Sequence, residues 1–258
     1  MEIFANHAHV IPGETMKNAG ISDLARLMEE CGISRSVTFA PFPNKCPNEN
    51  SNTWLYGQIK NDNRFVGFGV LDFDKDNIRD QVYQIKDYGF SGIKMHPAYQ
   101  KFPIMCEKAT QAYAAAEELG LVISFHTGVH NHRILDNDVK LFDEVAYNFK
   151  KLRFTMEHIG GYAFFYDAIG VLGNNRNVYA GFTSIFDYDS PRWYLTEQQL
   201  HDTIRMIGAN RCAFGLDFPY NKAPLIQKGI DTIMNLNITE AEKEMILGGT
   251  LKALLNIQ

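Results

Sequence analysis

The chain has 258 residues, 45% of them hydrophobic and 21% charged, and carries a formal net charge of −5. That length is enough to bury a sizeable core as one domain. A pI near 5.9 speaks against a nucleic-acid surface, which needs a concentrated basic field. No stretch reaches the roughly 18 uninterrupted apolar residues of a membrane span.

The first residues, MEIFANHAHV, run straight into a strand pattern, with Glu2 where a signal peptide would place basic residues. A cytoplasmic location is therefore expected. Cys31, Cys46, Cys106 and Cys212 are scattered with no C-x-x-C pair, and reduced thiols are expected.

From there the chain alternates between β-branched or aromatic runs and amphipathic stretches. MEIFANH reads as a strand. ISDLARLMEECGI reads as a helix, with Ser22 as its N-cap and Gly32 as its stop. SRSVTFAPF is a strand, NSNTWLYGQIKND a helix, RFVGFGVLD a strand and NIRDQVYQIKDYG a helix. SGIKMHP, EKATQAYAAAEELG and LVISFHTG follow as strand, helix and strand. The second half continues with DVKLFDEVAYNFKK, RFTMEHIGG, YAFFYDAIGVLGNN, NVYAGFTS, TEQQLHDTIRMIG and RCAFGLDFP. Helices around APLIQKGIDTIMN and TEAEKEMILGG close it. Eight strand–helix units of about thirty residues predict an α/β fold, a (β/α)8 TIM barrel spanning residues 1–258 as a single domain. A doubly wound sheet would show a Gly-rich phosphate turn after its first strand, and none is present.

A barrel demands that functional residues stand at the C-terminal strand ends. His7 and His9 end the first strand, Lys94 and His96 the fourth, His126 the fifth, His158 the sixth and Asp217 the eighth. Histidine and aspartate suit zinc and related divalent ions. Strand side chains alternate faces, so His7 and His9 share one face, as do Lys94 and His96. The same parity turns Glu157 and Phe125 away towards the helices. A lone strand-end histidine is usually an ordinary hydrogen-bonded residue, and His201, in a helical pattern, is assigned that role. Convergence from five strands points instead to a metal site.

These stretches carry a resemblance. HAH, GIKMHP, AAEELGLVISFHTG, FTMEHIGG, NRCAFGLDFP and ILGGTLKALLNI together resemble the amidohydrolase superfamily, in the group that includes aminocarboxymuconate-semialdehyde decarboxylase-like proteins. The resemblance implies that His7, His9, His126 and Asp217 ligate one divalent ion, zinc first, with manganese, iron or cobalt as alternatives. It implies that His158 is catalytic beside the ion, or a ligand to a second ion, and that Asp217 also takes a proton. Lys94 and His96 would line the pocket. The alternative, a second ion bridged by a carboxylated Lys94, belongs to another branch. One departure stands out: relatives commonly carry an aspartate two residues before the first histidine, where this chain has Ala5.

The implied activity is hydrolysis of an amide, lactone or related ester in a small molecule, through water activated by the ion. The same ligands serve non-oxidative decarboxylation, for which Arg133 and Arg192 are candidate carboxylate binders. A metal-binding barrel without catalysis is the third reading. His130 and His132 follow the fifth strand as further candidate contacts. Trp193 and Tyr194, in the long loop after the seventh strand, form either a lid or part of a homo-oligomer interface. The expected partner is a small-molecule substrate, with neither nucleic acid nor membrane.

Overall fold

The strands form where apolar and β-branched residues run between turns, and each is parallel to the next. In the computed structural model, which describes residues 1–129 and 133–257, they are β1 (Phe4–His9), β2 (Arg35–Phe39), β3 (Phe65–Val70), β4 (Gly92–Met95), β5 (Val122–His126), β6 (Phe154–Glu157), β7 (Val178–Thr183) and β8 (Cys212–Phe218). They close in sequence order, with β8 pairing back onto β1. This is the (β/α)8 barrel that the alternation predicts.

The principal helices occupy the predicted stretches: Ile21–Glu30, Ser51–Ile59, Ile78–Asp87, Glu107–Leu119, Leu141–Asn148, Gly161–Asn174, Glu197–Ile207 and Ala223–Asn235. One cap differs from the sequence reading. Ser22 lies inside its helix; the N-cap is Gly20, whose backbone N–H donates to Asp23 Oδ2 at 3.2 Å. Gly32 does stop that helix, at φ 66°. No helix of the described residues is long and apolar enough to cross a membrane. The four cysteines are free thiols.

The core has two layers. The larger fills the space between barrel and helices and includes Leu24, Val82, Tyr113, Phe125, Phe142 and Phe154. The smaller plugs the inside of the barrel: Phe4, Val37, Phe39, Val66, Phe68 and Val122 meet Leu251, Leu254 and Leu255 from the end of the chain. The terminal helical run therefore closes one end of the barrel, and the other end stays available for a site. Phe125 is wholly buried against Tyr113, Phe142 and Phe154, facing the helices as parity predicts. Phe125→Ala is expected to destabilise the fold by about 3–5 kcal/mol, read as a lowered urea midpoint.

Candidate metal centre

The residues at the open end sit where strands abandon their pleat. His7, His158, Ser184 and Asp217 have φ of 68°, 65°, 58° and 55°, a left-handed region rare outside glycine and concentrated at functional sites. In β1 the consequence is direct. Asn6 already faces the interior, donating from Nδ2 to Glu157 Oε1 at 2.6 Å. The register shifts between Ala5 and Ala8, and the turn at His7 sends this side chain inward as well. His7 and His9 share a face, as predicted, but through a bulge rather than a regular pleat. Ala5 belongs to the helix-facing core, so its side chain is directed away from the site.

His7 Nε2 lies 3.1 Å from His9 Nε2 and 3.4 Å from Asp217 Oδ1. One donor atom from each of the three falls within a 4.8 Å span. Ligands about 2.1 Å from a shared ion, separated by 90–109° at that ion, stand roughly 3.0–3.4 Å apart. The spacing thus fits a divalent cation. The chemistry of His7 fits as well. Its Nδ1 lies 3.0 Å from Glu157 Oε2, and a carboxylate accepts only, so Nδ1 carries the proton and Nε2 the lone pair. Burial, reinforced by Lys94 and His158, holds this imidazole well below its usual pKa. Asp217 Oδ2 accepts from Ser184 Oγ at 2.7 Å, and Asn221 Nδ2 donates to that hydroxyl at 2.9 Å. The second carboxylate oxygen is thereby directed at His7.

The remaining predicted residues surround this cluster. His158 is buried, its ring 5.2 Å from that of His7 and 4.7 Å from that of His126. Its Nδ1 donates to the Thr183 carbonyl at 2.9 Å, which puts the ring's lone pair on Nε2. His126 stacks on His96 at 3.8 Å. It lies outside the three-donor cluster, one histidine ring away from His7. His96 caps the short helix Pro97–Gln100, its Nδ1 accepting from Tyr99 N at 3.3 Å. Lys94 is fully buried, and its Nζ, 5.1 Å from the Phe39 ring centroid, has no hydrogen-bond partner among the described residues. Phe39 in turn touches both His7 and His9, at 5.0 Å each.

Trp193 covers the site, its indole 4.6 Å from His158 and 5.4 Å from His126, which favours the lid reading for this residue. Tyr194 instead packs on Tyr188, at 5.4 Å. Phe42 and Tyr220 stand 6.1 and 6.0 Å from His9, and Tyr99 packs on Phe42. The mouth is therefore walled by aromatics. Arg133 and Arg192 are both exposed. Arg133 is three-quarters exposed and paired with Asp136 at 2.9 Å. Arg192 is exposed, and its carbonyl accepts from Tyr162 N. His201 is paired with Glu197 on its own helix, at 3.6 Å. His130 and His132 lie outside the described residues.

One central residue was misread. Glu157 points into the barrel, not towards the helices. It is fully buried and accepts from Asn6, His7, Ser124, Thr155 and Thr183. Glycines make the room: a Cβ on Gly181 would stand 2.3 Å from Glu157 Oε2, and one on Gly215 would stand 2.1 Å from Thr183 Oγ1. A glycine inside a strand signals close approach, and VYAGF and CAFGL were the available clues.

The amidohydrolase family model matches residues 7–257. The chain belongs to the amidohydrolase family. Members of this family are metal-dependent enzymes, hydrolases and decarboxylases among them. No curated protein matches the chain. Among solved structures, it is similar to a dihydroxybenzoic acid decarboxylase from Polaromonas sp. JS666 with bound manganese and the inhibitor 2-nitroresorcinol. That pair shares 17% identity and a TM-score of 0.74, over 99% of this chain and 97% of the other. It is also similar to 5-carboxyvanillate decarboxylase from Sphingomonas paucimobilis, at 13% identity and a TM-score of 0.75, over 100% and 99%. A protein assigned as a 2-pyrone-4,6-dicarboxylic acid hydrolase from Pseudomonas putida gives 16% and 0.73, over 99% and 98%. At these identities the likeness carries the fold, while membership of the amidohydrolase family rests on the family match.

Proposed function

We propose that this chain is a metal-dependent hydrolase of a small carboxylated molecule, acting on an amide, lactone or related ester. The observation that carries this reading is the donor cluster of His7, His9 and Asp217 beside His158. These three residues would hold the ion, with His126 as the fourth ligand. A divalent ion there, zinc first among zinc, manganese, iron and cobalt, supplies Lewis acidity and lowers the pKa of water. Asp217 accepts the proton of the attacking water. His158, with its Nδ1 committed to Thr183, passes a proton through Nε2 to the leaving group. Lys94 binds a substrate carboxylate, since a buried ammonium without a partner calls for an anion. Phe42, Tyr99, Tyr220 and Trp193 face the apolar part of the substrate and exclude water.

A second reading is decarboxylation of a planar carboxylic acid. The aromatic walls and Lys94 favour it, and two of the similar structures are decarboxylases by name. Here His158 or Asp217 delivers the proton that replaces carbon dioxide. Treatment with a chelator is expected to lower turnover of a panel of lactones, amides and hydroxylated aromatic acids by more than about 10²-fold. Added zinc or manganese should restore it. Release of carbon dioxide would select the second reading, and turnover indifferent to metal removal would end both.

A further inference from the structure

The most heavily bonded side chain beneath the site has no part in the proposed chemistry. Glu157 ends β6 with no exposed surface. Donors reach it from four strands: Asn6 and His7 on β1, Ser124 on β5, Thr155 on β6 and Thr183 on β7. Oε1 accepts from Asn6 Nδ2, Ser124 and Thr155, and Oε2 from His7 Nδ1 and Thr183 Oγ1. Five donors on two oxygens leave the carboxylate one orientation. Gly181 supplies the space for it, because any Cβ there would stand 2.3 Å from Oε2.

A buried glutamate bonded to so many strands has an ordinary reading as a structural hub. Its contact with His7 goes further. Were the His7 proton on Nε2, the Nδ1 lone pair would face the Oε2 lone pairs across 3.0 Å, between two buried side chains. That arrangement is repulsive in a buried setting. Glu157, the closer of the two carboxylates that face this ring, therefore favours the Nδ1–H tautomer. It is the one whose Nε2 lone pair points at His9 Nε2 and Asp217 Oδ1.

We propose that Glu157 is the positioning residue of this centre: its carboxylate fixes the His7 tautomer and ring orientation and so prepares Nε2 to bind a cation. The role rests on the metal reading of the site. A carboxylate behind a ligating imidazole also raises its basicity, and loss of such a partner typically weakens metal affinity by about 10–100-fold.

The test uses the full-length protein stripped of metal, with Zn²⁺ alone as the probe, titrated in competition with a chromophoric chelator. Glu157→Gln keeps the shape and removes the charge. Gly181→Ala displaces the carboxylate without altering it. Thr183→Val removes one donor and is the mildest of the three. Glu157→Gln and Gly181→Ala are expected to raise the Kd for Zn²⁺ by about 10–100-fold, and Thr183→Val by less. Nitrogen-15 histidine spectra should show His7 as a pure Nδ1–H tautomer in the parent and as a mixture in Glu157→Gln. Should Glu157→Gln fail to fold, the other two variants carry both measurements.

A purely structural role would lower the melting temperature and leave Kd and tautomer unchanged, which would overturn the proposal. So would affinities within twofold of the parent in every folded variant. If the parent binds Zn²⁺ and Asp217→Asn abolishes that binding while Glu157→Gln leaves the Kd within twofold of the parent, this proposal alone fails. If the parent binds no Zn²⁺, the metal reading fails and takes the proposal with it.

Discussion

Asp217→Asn is expected to lower kcat by roughly 10²–10⁴-fold, the usual contribution of a positioned proton acceptor, while leaving the fold intact. Asparagine tolerates the left-handed φ of 55° that this position adopts, and its amide oxygen still accepts from Ser184 Oγ. What disappears is the negative charge and the second acceptor, the oxygen 3.4 Å from His7 Nε2. In the proposed mechanism, proton acceptance and cation binding both draw on that oxygen. The two losses separate by experiment. Metal content per chain reports the first, and kcat measured at saturating metal reports the second. A variant with full metal occupancy and kcat within tenfold of the parent would remove Asp217 from the proton-transfer role.

How much of this centre was legible in the sequence depends on where the backbone is regular. The alternation of VISFH with EKATQAYAAAEEL, or of FTME with GYAFFYDAIGVLGN, follows from side-chain periodicity alone, and closure of eight such units brings their ends together. The strand-end rule therefore found His7, His9, His158 and Asp217. Parity failed at the point where the pleat ends. Thr155 and Glu157 face inward as one alternating set, while Phe154 and Met156 join the helix-facing core. Continued alternation from Thr155 and Glu157 would turn His158 outward; it reaches the site because its φ is 65°, and Ile159 follows at 48°. Reading back from His158 by alternation thus put Glu157 on the wrong side. His7 repeats the effect in β1, where the bulge gave the expected face for an unexpected reason. Arginine is legible only as a residue type. Its type alone suggested carboxylate binding, but Arg133 and Arg192 lie on loops whose paths periodicity does not set. The cation near the centre is a lysine inside a strand.

That lysine gives the second large effect. Burial pushes the Lys94 ammonium from 10.5 down to about 8, against the opposing pull of Glu157 and Asp217. Below pH 8 the folded chain holds in its interior a charge that the unfolded chain leaves in water. At ~1.4 kcal/mol per pKa unit the cost is about 3 kcal/mol. Between pH 8 and 10.5 the unfolded state binds more protons than the folded state, so this cost shrinks as pH rises. Lys94→Met is therefore expected to stabilise the metal-free protein by about 3 kcal/mol at pH 7 and by only about 1.4 kcal/mol at pH 9.5, read from urea midpoints. The same change should lower kcat/KM for a carboxylated substrate by about 10²-fold or more, since losing one member of a buried charged pair costs about 2–5 kcal/mol. A lysine buried at such a cost to the fold is expected to act in the site. Lys94→Met that destabilises the protein, or that leaves turnover of carboxylated substrates unchanged, would contradict this account of why a buried lysine lies beside the candidate metal site.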